Sequence, residues 1–179
     1  IENQSIDNAI NCIKKSLKIM SNSLLDLKSL NNYEKKVCDL KSIVEEGVQL
    51  STVYIHDKDI KISCNLKGTA SVLIDENKFL ACLVNIIKNA IEAIDKKGKI
   101  QVELKVKSDL AEIKISNDGA PISKEKEEAI FAEGYTTKPK GSGLGLYICT
   151  NNLKAQNAVL KLNKSTEEIT EFEIVIPTV

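Results

Sequence analysis

Residues 131–146 read FAEGYTTKPKGSGLGL. Gly141, Gly143 and Gly145 stand at alternate positions in this stretch, and Leu144, Leu146, Tyr147, Ile148 and Leu153 follow with helical spacing. Glycine has no Cβ, so a backbone that alternates it can turn sharply and come close to a ligand. The first turn of a helix has N–H groups without intrahelical partners, and its dipole favours negative charge there. Glycines leading into a helix start are therefore a natural seat for phosphate. Thr136, Thr137, Lys138 and Lys140 add the hydroxyls and positive charge that a phosphate chain attracts. A surface loop with a glycine-rich helix cap is the plain alternative.

The composition narrows the classes. The chain has 179 residues, 42% hydrophobic and 28% charged, enough for one core. Its 25 basic and 25 acidic residues balance, which gives no sign of a nucleic-acid surface. All the basic residues are lysine. A phosphate clamp must then use lysine, backbone amides or a metal. Aromatic residues make up only 4%, which argues against stacking platforms for single-stranded nucleic acid. The five cysteines, at 12, 38, 64, 82 and 149, form no CxxC pair, and His56 is the one histidine. Cys82 and Cys149 fall in apolar helical stretches and read as small buried hydrophobes in a reducing cytosol. No signal peptide or membrane-length apolar run is apparent. The chain starts at Ile1 rather than Met, so a fragment of a longer protein is expected.

Hydrophobic periodicity supplies the elements. Ile6, Ile10, Ile13, Leu17, Met20, Leu24 and Leu27 are spaced alternately four and three apart. This is a heptad seam for a long helix that needs a partner helix, with packing onto the chain's own body as the alternative. After Asn31–Asn32, residues 37–53 are predicted helical, with Val37, Leu40, Ile43, Val44, Val48 and Leu50 apolar. Strands are predicted at 58–66 and 72–74, and Asp75 is placed to cap a helix running to about Ile94. A turn is predicted at 96–99 around Gly98. A hairpin follows (100–106 and 111–116), then a polar helical turn after Pro121, a helix from about 143 to 155 and a closing hairpin (158–162 and 169–176). Helices alternating with hairpin-joined strands predict an α/β (α+β) two-layer sandwich, with a mixed sheet and helices on one face.

The helix before Ile94 carries LVNIIKNAIEAI. Leu80, Leu83, Val84, Ile87, Ile91 and Ile94 form one face, and Asn85, Asn89 and Glu92 line up on the other. Such a face is usually only the wet side of an amphipathic helix. Asparagine is nevertheless a poor helix former, and a carboxamide oxygen suits Mg²⁺. A third stretch, ISNDGAPIS (115–123), reads as a turn after a strand, where Asn117 or Asp118 can accept a hydrogen bond from an exocyclic amine.

In order and spacing, NIIKNAIEA, ISNDGAPI, IFAEGYTTK and GSGLGL resemble the N, first glycine, F and second glycine boxes of bacterial sensor histidine kinases. These boxes mark an ATP-binding domain of the Bergerat fold, shared in the GHKL superfamily with gyrase, ninety-kilodalton heat-shock chaperones and mismatch-repair ATPases. The resemblance implies a mostly antiparallel sheet under three helices. It divides the chain into an ATP-binding catalytic domain at 37–179 and, at 1–32, the second helix of a dimerisation and phosphotransfer hairpin. It implies ATP and Mg²⁺ as ligands, with Asn89 on the metal and Asn85 assisting. Lys138 would approach the terminal phosphate, so Asn85, Asn89 and Lys138 form the expected catalytic set. Asn117 would face the adenine, with Gly119 beside the base. Phe131 and Tyr135 would shape the hinge of the lid. Gly141, Ser142, Gly143, Leu144 and Gly145 would contact phosphates through the backbone, beside Thr136 and Thr137. The implied partners are a second copy through the N-terminal helix and a response-regulator receiver, with no nucleic acid. The domain is expected in the cytoplasm, under a parent that is either membrane-anchored or tied to an upstream sensor.

Four positions depart from the family pattern. Asn117 stands where relatives carry aspartate, so an adenine amine would be accepted without charge assistance, or by Asp118 in a shifted register. Pro121 replaces the box's second glycine. Glu92 stands where many relatives have a basic residue. The phosphoaccepting histidine of the first bundle helix is absent, and His56 in VYIHDKD reads as a surface residue. Two further functions stay in view: a degenerate nucleotide fold serving dimerisation or partner docking, and a hydrolytic ATPase of the same superfamily.

Overall fold

A computed structural model describes residues 32–138 and 141–179. The heptad stripe at 6–27 and Lys140 lie outside the described residues. Residues from Lys35 to Val179 form one compact unit. Its five-stranded sheet is built from β2 (Asp59–Lys67), β4 (Lys97–Lys107), β5 (Leu110–Asn117), β6 (Val159–Ser165) and β7 (Thr170–Pro177), in the order β2-β4-β5-β7-β6. The β2–β4 pair is parallel and the other three pairs are antiparallel. β1 (Lys36–Asp39) and β3 (Ser71–Ile74) make a separate antiparallel pair. The helices are α1 (Leu40–Ser51), α2 (Glu76–Ala93) and α3 (Gly145–Lys154). The mixed, mostly antiparallel sheet and the three-helix layer match the expected sandwich.

The central strands alternate, so one face is apolar and the other polar. Val102, Ile115 and Phe172 are register neighbours, as are Leu104, Ile113 and Ile174, and all of them are buried. Asn117 and Thr170 continue the inward positions of β5 and β7 and pair with each other at the end of these apolar rows. The outer face carries an ionic ladder. Lys114 lies 3.4 Å from both Glu171 and Glu173, and Lys161 lies 2.6 Å from Glu173. Burial pushes the Glu173 carboxyl up, but hydrogen bonding and charge from Lys161 and Lys114 outweigh it, and its pKa is held below the ordinary value. Burial pulls Lys114 down, yet Glu171 and Glu173 raise it overall.

α2 is the spine of the helical layer. Asp75 accepts a hydrogen bond from the Lys78 N–H at 3.1 Å and fixes the helix start. At the other end the Lys58 ammonium donates to the carbonyls of Ile91 (3.0 Å) and Ile94 (2.5 Å), satisfying groups that a helix C-terminus leaves open. Phe79, Cys82, Leu83, Ile86, Ile87 and Ile91 are all fully buried. The apolar surface is therefore wider than one stripe, because α2 packs on the sheet and also between α1 and α3. Cys82 and Cys149 are buried as expected.

Two local expectations are corrected. Val37 does not begin a helix: it lies in β1, 64% exposed and opposite Leu73. Asp39 accepts from the Ser42 N–H at 3.1 Å, and this cap starts α1 at Leu40. Gly98 is not in a turn: β4 already runs from Lys97, and Gly98 pairs with Ile60. The chain reverses instead at residues 94–96. The Ile94 backbone is extended there, and Lys96 O accepts from Asp59 N at 2.7 Å.

Candidate nucleotide site

α2, the ends of β5 and β7, and residues from 135–138 and 141–146 line a cleft of about 1010 Å³. Of the residues expected from sequence, Asn85, Asn89, Asn117, Tyr135, Thr136, Thr137, Lys138, Gly141, Ser142, Gly143 and Gly145 line it. Asp118, Gly119, Phe131 and Leu144 are not among its lining residues.

The base of the cleft is held by main chain. Asn117 is 3% exposed. Its Oδ1 accepts from the Gly119 N–H at 3.0 Å, and its Nδ2 donates to Thr170 O at 3.5 Å. A backbone N–H can only donate and a carbonyl can only accept, so these two neighbours fix the amide's orientation. The Thr170 hydroxyl is 2.8 Å from Ser165 Oγ, which also accepts from the Ile122 N–H at 2.8 Å. Asp118 is exposed and accepts from the Lys99 N–H at 2.6 Å, so it clamps β4. Gly119 lies against α2's end: an added Cβ would sit 2.5 Å from Ala93 O. Phe131 stands behind the wall, edge-on to Phe172 at 6.3 Å, and Phe172 itself lines the cleft. Ala90, Ala93, Ile122 and Ile130 complete an apolar wall.

The other end is polar. Asn85 is half-buried beneath α3, and its Nδ2 donates to Cys149 Sγ at 3.5 Å. The carboxamide oxygen is then the end available to a cation. One turn on, Asn89 Oδ1 accepts from the Lys138 ammonium at 3.0 Å, and Lys138 also forms an ion pair with Glu92. The N-cap residue of α3, Leu144, makes no side-chain cap bond, and its own N–H donates to Ser142 Oγ at 3.3 Å, so the N–H groups from Gly145 onward remain for an anion. Gly143 has φ +69°, and an added Cβ would meet Gly134 O at 2.4 Å. At Gly145 a Cβ would lie 2.8 Å from the Asn85 amide. Backbone and carboxamide therefore meet at a distance that only glycine permits.

These observations test the fit to Mg²⁺ and a triphosphate. A hard oxygen already faces a cation, an uncapped helix start lies beside glycines, and an apolar wall lies at the far end. The residues present fit the pair. The sequence reading missed Phe172, Thr170 and Lys88. Thr170 becomes the neighbour of Asn117, and Phe172 that of Ile115, only through β-sheet register, which no local pattern encodes. Lys88, between the two asparagines in NIIKN, was legible as a cation on the same helix.

The fold and cleft define a class, an α/β nucleotide-binding sandwich. The family model "Histidine kinase-, DNA gyrase B-, and HSP90-like ATPase" matches residues 74–179, and the chain belongs to that family. Over 165 residues it is 31% identical to sporulation kinase C of Bacillus subtilis (strain 168), covering 91% of this chain and 39% of that protein. It is 27% identical over 158 residues to the sensor histidine kinase ZraS of Salmonella typhimurium, covering 87% of this chain and 34% of ZraS. The solved catalytic domain of histidine kinase ThkA superposes with a TM-score of 0.71 at 26% identity, covering 80% of this chain and 96% of that domain. The chain thus spans less than two fifths of the length of these two curated relatives. Among the described residues no helix is long and apolar enough to cross a membrane.

Proposed function

We propose that this chain is the ATP-binding catalytic part of a two-component sensor histidine kinase. In this reading it binds Mg·ATP and presents the γ-phosphate to a histidine on a dimerisation helix, and the phosphoryl group then passes to a response-regulator receiver. His56 sits exposed in a turn at φ +47°, so it is not the acceptor proposed. The residue that carries the reading is Asn85. Hydrolytic members of the superfamily are expected to place a glutamate there to activate water. A carboxamide cannot take a proton from water. An acceptor imidazole brings its own lone pair, so phosphoryl transfer to it needs positioning and charge neutralisation rather than a strong base.

The chain's residues then divide the work. Asn117 and Thr170 orient the base against the wall formed by Phe172 and Ile122. Asn89, assisted by Asn85, would hold Mg²⁺. The metal would neutralise phosphate charge there. The N–H groups at the start of α3 and the glycines before it seat the phosphate oxygens. Lys138 would approach the terminal phosphate.

A thermal-shift titration tests this directly. Mg·ATP binding to the folded state should raise Tm by a concentration-dependent increment, and Asn89→Ala should abolish the rise. Steady-state release of inorganic phosphate should be negligible. Hydrolysis that disappears in Asn85→Ala would instead mark a hydrolytic ATPase.

A further inference from the structure

Glu92 lies three residues beyond Asn89 on α2, so the two share a face. Its carboxylate is divided between two lysines. Oε2 is paired with Lys138, and Oε1 lies 3.8 Å from Lys88 Nζ. Lys88 has a second support, with its ammonium over the Tyr54 ring at 5.1 Å from the centroid. Among the described residues Lys138 has no aromatic platform of that kind; its ammonium is held by Glu92 and by Asn89 Oδ1 at 3.0 Å. That oxygen is the one assigned to Mg²⁺ in the proposed function.

Resting on that reading, we propose that Glu92 is a positioning residue that holds Lys138 across the metal-binding oxygen. The lysine then competes with the divalent cation until phosphate draws it away. A carboxamide oxygen has two lone pairs, but a divalent cation and an ammonium drawn to the same oxygen repel strongly at that range. Mg²⁺ entry therefore displaces Lys138 from Asn89. The terminal phosphate is the acceptor to which the freed ammonium moves. Glu92 sets the cost of that exchange, because it binds the lysine whether or not Asn89 does. It also keeps Lys138, the only lysine of residues 135–138 and 141–146 that lines the cleft, beside Asn89.

The experiment measures AMPPNP affinity of the 179-residue chain by calorimetry, with Mg²⁺ and again in EDTA. The readout is the ratio of the two dissociation constants. Four proteins are compared: wild type, Glu92→Gln, Lys138→Met and the double variant. Releasing a half-exposed ion pair should increase the tightening caused by Mg²⁺ by about two- to fivefold in Glu92→Gln. Lys138→Met should weaken binding overall, through its lost phosphate contact, yet show a similarly increased ratio. Adding Glu92→Gln to Lys138→Met should change nothing further. A fold-only role for Glu92 would lower the melting temperature without moving the ratio, and that result overturns the proposal. A smaller Mg²⁺ effect in Glu92→Gln on both backgrounds also overturns it, and would make Glu92 a metal ligand. A wild-type chain that binds no AMPPNP in either buffer would reject the nucleotide reading itself, a different failure from wild-type binding with an unmoved ratio.

Discussion

The two ends of the cleft are built by different physics. At the base end Asn117 and Thr170 are each 3% exposed, and both are locked into strands that pair with each other. The Asn117 amide bonds to main chain, the Thr170 hydroxyl bonds to Ser165 Oγ, and Phe172 joins this end to the core. At the phosphate end Thr136, Thr137, Lys138, Gly141 and Ser142 are all exposed. The segment reaches α2 through Lys138, whose contacts with Asn89 and Glu92 are a hydrogen bond and a partly solvated ion pair. Such pairs contribute about 0–1 kcal/mol, whereas a buried aromatic contributes several times as much. On the proposed function, the end that takes the base is pre-organised by folding, and the end that takes phosphate is left for the ligand to organise. A substitution that hurts stability should therefore differ from one that hurts binding.

Phe172→Ala should have the largest effect. The ring is 6% exposed, contacts Phe131 edge-on and lines the cleft as well. Its removal should cost about 3–5 kcal/mol in urea denaturation. A loss below about 1 kcal/mol would show that the base end is not continuous with the core, and the contrast between the ends would fail.

Gly145→Ala should do the reverse. Its φ is not in the left-handed region, so alanine suits the helix start and folding stability should change by less than about 1 kcal/mol. The new methyl would lie 2.8 Å from the Asn85 carboxamide, which must then shift. Mg·nucleotide affinity should fall about tenfold, equivalent to about 1.4 kcal/mol. Stability and binding falling together would mean that the phosphate end is as rigid as the base end.

The same contrast governs what the sequence revealed. α2 was legible because its periodic apolar residues and the Asp75 cap are local signals. The glycines at 141–145 were legible because close backbone approach restricts the residue type. Asn117 was found as the end of a strand, but not its partner Thr170, since a hairpin's residues do not announce which strand face they meet across a ladder. Val37 was misplaced because a short paired strand and a helix start both present isolated apolar residues. The capping carboxylate two residues later, Asp39, was the signal that separates them. Gly98 misled in the opposite direction. Glycine usually marks a turn, but here it admits Asp118: an added Cβ would stand 2.5 Å from the Asp118 oxygen that accepts from Lys99. The Lys138–Glu92 pair links residues 46 apart and rests on tertiary geometry alone.

The smallest effect should come from the outer face, behind the base end. Glu173→Gln removes the shared acceptor of Lys114 and Lys161, on a side chain only 7% exposed. The loss should be about 1 kcal/mol at neutral pH, since Lys161 is half in water. Its pH dependence follows from the direction of the shift. The folded-state pKa of Glu173 lies below its ordinary value, so its contribution is full above the unfolded glutamate pKa and fades as pH falls through the lowered one. Lys114 is shifted upward, so its share persists below its ordinary pKa and is lost only as pH rises through the raised value. The stability difference between wild type and Glu173→Gln should therefore shrink in acid and hold across neutral pH, as read from urea midpoints at several pH values. Nucleotide affinity should not change, because the ladder lies on the face of β7 opposite Phe172. A parallel loss of affinity would mean that the register of β7, and with it the pairing of Thr170 to Asn117, depends on charge outside the core rather than on apolar packing within it.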